Sequence, residues 1–116
     1  QNAPSYANDP DFQASFDMYW RARLLGSYAG NRVCALPDST YDSPKSPFRP
    51  IDERLRRAEI RFEKRFPTAL NNVARPYQMP PSQSKCDDAS AAWESIFAFA
   101  TAVAGLENLL NRIDRK

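Results

Sequence analysis

Residues 93–113 read WESIFAFATAVAGLENLLNRI, and this stretch decides the fold. Its apolar side chains Trp93, Ile96, Phe97, Ala100, Val103, Leu106, Leu110 and Ile113 recur mostly at intervals of three and four, the period of an α-helix. Asp87, Asp88 and Ser90 stand just upstream and are good caps, so a helix is expected over about residues 88–114. Its uncharged run, Ser95 to Leu106, is bounded by Glu94 and Glu107. That run is far shorter than the ~20 residues of a spanning helix, so no membrane span is expected. An outward part of so broad an apolar face would permit a dimer.

The same period appears twice more upstream. Asp9-Pro10 is a helix start, because Asp caps free backbone N–H groups and Pro fits the first turn. Phe12, Phe16, Tyr19, Trp20 and Leu24 then line one apolar face, and Met18, Ala22, Leu25, Ala29 and Val33 a second. A helix apolar on two sides packs on more than one neighbour. Ala22, Gly26 and Gly30 recur every four residues. Two interior glycines cost about 1 kcal/mol each against Ala, so a close backbone approach is expected there. Pro37, Pro44, Pro47 and Pro50 mark an irregular or polyproline-like connection. Ile51, Leu55, Ala58, Phe62 and Phe66 form the narrow stripe of another helix, and Pro67 stops it or starts a short turn over Leu70 and Val73. Three prolines between residues 75 and 86 exclude helix there. The expectation is an all-α fold, a small bundle of three main helices at about 10–35, 51–66 and 88–114 with Pro-rich connections. Residues 1–116 make one domain, with 1–8 a flexible N-terminal tail.

Cys34 and Cys86 are the only cysteines. One ends the first apolar segment and the other precedes the last, so they are read as a disulfide tying the first helix to the third. This makes those helices antiparallel and places the chain in the periplasm or outside the cell. The opening Gln1-Asn2-Ala3-Pro4, without Met, is read as a mature end after leader removal.

The composition is poor in catalytic chemistry. There is no histidine, hence no Ser-His or Cys-His arrangement and no imidazole ligand for metal or haem. Three glycines are too few for a phosphate-cradling loop. The adjacent carboxylates Asp87-Asp88 are explained as a helix cap and lack the alternating spacing of a calcium loop. The chain is therefore expected not to be an enzyme, and to hold no cofactor or metal. The net charge of +2 gives no global signal for nucleic acid.

The second helix carries the sharpest surface signal. With its stripe toward the core, Arg54, Arg57, Arg61, Lys64 and Arg65 gather on one flank and Asp52, Glu59 and Glu63 on the other. Like charges four residues apart repel by a few tenths of a kcal/mol per pair, so the ridge calls for a negative partner. Two readings stand: a solvated face partly paired with Glu53, Glu94 or Glu107, and a docking ridge for an acidic protein surface. Tyr41, Tyr77 and Met79, in proline-stiffened loops, are candidate anchors for the same partner.

In class rather than motif, a small exported helical domain with one disulfide resembles bacterial inhibitor and immunity proteins that block cell-wall hydrolases. The function expected is that of an exported, non-catalytic binding protein docking on another macromolecule, of the inhibitor or immunity type. The alternative is a carrier of a small hydrophobic ligand held between the first and third helices, among Phe12, Phe16, Trp20, Trp93, Phe97 and Phe99.

Overall fold

A computed structural model describes residues 5–31, 35–72 and 89–116. It is all-helical over these residues, with three main helices and no strand. Helix α1 spans Pro10–Gly30. The Asp9 side chain accepts a hydrogen bond from the Asp11 amide and Pro10 fills the first turn, the start read from the sequence. The helix stops at Gly30 with Asn31 as its cap, short of residue 35. A single 3₁₀ turn, Asp38–Thr40, follows.

Helix α2 spans Phe48–Arg65 and begins a turn earlier than the proline spacing suggests. Pro47 is already in the right-handed helical region (φ −69°, ψ −22°), so the Pro44-Pro47-Pro50 repeat is not a polyproline helix. Pro50 is tolerated because N–H groups of the first turn have no intrahelical acceptor. Buried Ser46 organises this entry: its hydroxyl donates to the Thr40 carbonyl and accepts from the Phe48 amide at 3.1 Å. Helix α3 is a single turn, Ala69–Asn72. Thr68 before it has φ 62°, and Glu63 holds the corner by accepting from the amides of Thr68 (3.2 Å) and Leu70 (3.1 Å). Helix α4 spans Ala89–Asp114.

Side-chain contacts fix the directions. Lys116 reaches Asp11 at 2.6 Å, Gly105 faces Met18 and Gly26 faces Phe99, so α1 and α4 are antiparallel. Arg54 pairs with Glu107 and Arg61 with Asp114, so α2 and α4 are parallel. The end of α1 and the start of α4 therefore lie at one end of the bundle. Cys34 and Cys86 lie outside the described residues.

The core is aromatic at the base. Tyr6, Phe12, Phe16, Tyr19, Phe62 and Phe66 form a chain of ring contacts between 4.7 and 6.2 Å. Tyr6 also donates to the Pro67 carbonyl, so the segment expected as a free tail over 1–8 is docked at this residue. The expected α2 stripe is buried in full. In α4 the expected face is corrected at its start: Phe99 and Ala92 are buried, while Trp93 and Phe97 point outward, 38% and 64% exposed. The close approach at Gly26 admits the Phe99 ring rather than a second backbone. By length and composition α4 is the one helix among the described residues apolar enough to cross a membrane, a property that core helices of soluble proteins share.

Candidate functional site

The cations of α2 form two sets with different geometry. Arg54 grips Glu107 of α4 with two donors, one of them 3.1 Å from the carboxylate. This pairing raises the Arg54 guanidinium above its ordinary value. Arg61 donates to Asn111 at 2.8 Å and to Asp114 at 2.9 Å. Arg54 and Arg61 are seven residues apart, as are Glu107 and Asp114. Seven residues are two turns, so parallel helices bring both pairs into register. These two arginines fasten α2 to α4.

Arg57, Lys64 and Arg65 are exposed and form no ion pair among the described residues. Arg61, Lys64, Arg65 and Asp114 line a shallow recess of about 210 Å³ at the base. Ile60 lies one turn from both Arg57 and Lys64 and is 62% exposed. Its place on the charged side of the helical wheel was legible, but the basic flank draws attention away from it. The result is an outward helix face on which Arg57 and Lys64 flank one apolar knob.

The loop anchors fare differently. Tyr41 is buried: its hydroxyl donates to the Ala29 carbonyl at 3.1 Å and its ring lies 5.4 Å from Phe48. It closes the core over the end of α1 and is out of a partner's reach. Phe48 packs on Phe99 at 5.5 Å, so it ties the start of α2 to α4. Tyr77 and Met79 lie outside the described residues, as does the Asp87-Asp88 pair.

One polar network joins α1 to α2, with buried Tyr19 held between half-exposed Arg23 and Glu59. The Tyr19 hydroxyl donates to Glu59 at 2.6 Å and accepts from Arg23 at 2.8 Å, and Arg23 lies 3.5 Å from Glu59. Burial first, then the bond to Glu59, holds the Tyr19 hydroxyl well above the ordinary tyrosine range. A phenol so placed is a poor acid, and each of its bonds is used to satisfy a buried group. Among the described residues no group of three or more acidic or cysteine side chains is arranged to hold a metal ion.

A cleft of about 720 Å³ lies where α1 ends and α2 begins. It is open and rimmed by Asp42, Arg49, Asp52, Glu53 and Arg56. The α1–α4 seam is instead filled at Gly26 by Phe99 and at Gly105 by Met18. No protein-family model matches this chain, and no curated protein or solved structure matches it.

Proposed function

We propose that this chain is an exported, non-catalytic binding protein that docks on an acidic macromolecular surface, in the manner of an inhibitor or immunity protein. The carrying observation is that Arg57 and Lys64, which form no ion pair among the described residues, flank exposed Ile60 on a helix where Arg54 and Arg61 are engaged with α4. Unpaired rim charges speed encounter and make it salt-dependent, while a desolvated apolar anchor sets the lifetime of a complex. Tyr77 and Met79 are further candidate anchors.

Export rests on an oxidised Cys34–Cys86 pair. In its favour, the helix ends that flank the two cysteines lie at the same end of the bundle. Such a crosslink encloses about 50 residues and contributes roughly 4 kcal/mol through chain entropy. Mass spectrometry of unreduced peptides tests it; two free thiols would remove the compartment argument.

The docking test is capture from a native envelope fraction followed by association kinetics on the recovered partner. Arg57→Glu with Lys64→Glu should slow association at least tenfold at low salt and flatten its salt dependence, with helicity intact. An unaltered association rate would reduce the ridge to a solvated face.

A further inference from the structure

We propose that the outward face of α4 pairs two copies of this chain, antiparallel, across a two-fold axis. Trp93 and Phe97 are 38% and 64% exposed, and their rings stack on one another at 6.2 Å. Below them on the same face come Ala100 and Ala104, both half-buried. The series 93, 97, 100, 104 steps by four, three and four, the spacing of a helix–helix seam. It ends at Glu107, which Arg54 engages. The seam itself carries no charge, so it does not suit the acidic surface that the α2 cations attract.

Its shape matches its own inverse. The two large side chains occupy the first half and the two small ones the second. A parallel pair sets Trp93 against Trp93 and leaves the alanines facing each other across a gap. An antiparallel pair sets Trp93 over Ala104 of the other copy and Phe97 over Ala100 at both ends at once, large into small. The exposed aromatic surface is roughly 200 Å² per copy, from side chains that bury about 150–250 Å² each. With the alanine methyls the total stays below the ~1,200 Å² of stable interfaces. The pairing is therefore weak and reversible.

Sedimentation velocity of the full chain across about a hundredfold concentration range tests this. A concentration-dependent dimer is expected. Trp93→Glu and Ala104→Arg should each leave a monomer, with far-UV circular dichroism unaltered. Mixing the two variants should restore a dimer, because the register sets those positions against each other. Phe97→Glu, at the more exposed ring, serves if Trp93→Glu does not fold, and should also give a monomer. Ile60→Glu, equally exposed but on α2, should leave the dimer intact. A monomer at every concentration, a dimer insensitive to these variants, or a mixture that stays monomeric overturns the proposal. So does a chain that is monomeric in solution but co-sediments with phosphatidylcholine vesicles, which would assign the face to lipid.

Discussion

Adding one methyl group at Gly26 tests whether the seam between α1 and α4 is solid. Two effects oppose each other there. Replacing an interior helical glycine by alanine stabilises a helix by about 1 kcal/mol. A Cβ at Gly26, however, would lie 2.9 Å from Cε1 and 3.0 Å from Cζ of Phe99. That ring is fully buried and is braced by Phe48 at 5.5 Å, so it has little room to turn away. Overpacking a rigid core costs about 1–3 kcal/mol. The net expectation for Gly26→Ala is a loss of about 1 kcal/mol.

Gly105 on the opposite helix supplies the control. A Cβ there meets the methyl end of Met18 at 3.3 Å and its sulfur at 3.5 Å. A thioether with three rotatable bonds yields cheaply, so Gly105→Ala should stabilise by about 0.5–1 kcal/mol. Urea unfolding followed by circular dichroism, with equal m-values, measures both. In a Phe99→Leu background the Gly26→Ala change should reverse sign. If Gly26→Ala stabilised the unmodified protein as much as Gly105→Ala does, the seam would have spare room and the packing argument would fail. That outcome would also revive the carrier alternative, which needs space between these two helices.

Other outcomes follow from single sites. Thr68 holds a left-handed backbone (φ 62°) that a β-branched residue adopts at a cost, so Thr68→Gly should stabilise by about 0.5–1 kcal/mol in the same urea assay. Arg54→Met breaks a half-exposed ion pair and should lower stability by about 0.5–1 kcal/mol, without the loss of association expected of Arg57→Glu. Tyr19 is held protonated in the folded state, above the ordinary value of 10.0. Its contribution is therefore complete below about pH 10 and falls as pH rises beyond that, because the unfolded chain loses the proton first. Stability should decline above pH 10, and Tyr19→Phe should make that decline shallower; an equal slope would refute the assignment.

Much of the fold is legible because α1 and α2 are strongly patterned. Ile51, Leu55, Ala58, Phe62 and Phe66 repeat with one period on an otherwise charged helix, which leaves a single solution. The start of α1 is equally clear, since Asp9 and Pro10 act locally. Helix α4 is different: it is apolar nearly all round, so periodicity cannot choose between Phe97 and Phe99. The choice is made by where α1 and α2 sit, and that is tertiary information. Tyr41 fails for the same reason. A tyrosine among prolines reads as exposed, yet the carbonyl of Ala29 and the ring of Phe48 receive it only once the helices have packed. The end of α1 is also hidden, because Val33 continues the apolar pattern past the residue where the helix stops.

The basic ridge shows how far sequence carries toward a site. On a helical wheel its five cations form one band, and charge alone gives no reason to separate them. The division appears when α2 is laid beside α4. Positions seven apart on one helix meet positions seven apart on a parallel neighbour, so Arg54 and Arg61 find Glu107 and Asp114 together. Arg57 and Lys64 lie roughly 40–80° further round and miss that line. The repulsion along the ridge is thus relieved at alternate turns from inside the protein, and what remains faces outward around Ile60. Reversing Arg61 would disturb the bundle and the surface at once, and its effect on binding would not be interpretable. Reversing Arg57 with Lys64 touches the surface alone, which is why that pair carries the test of docking.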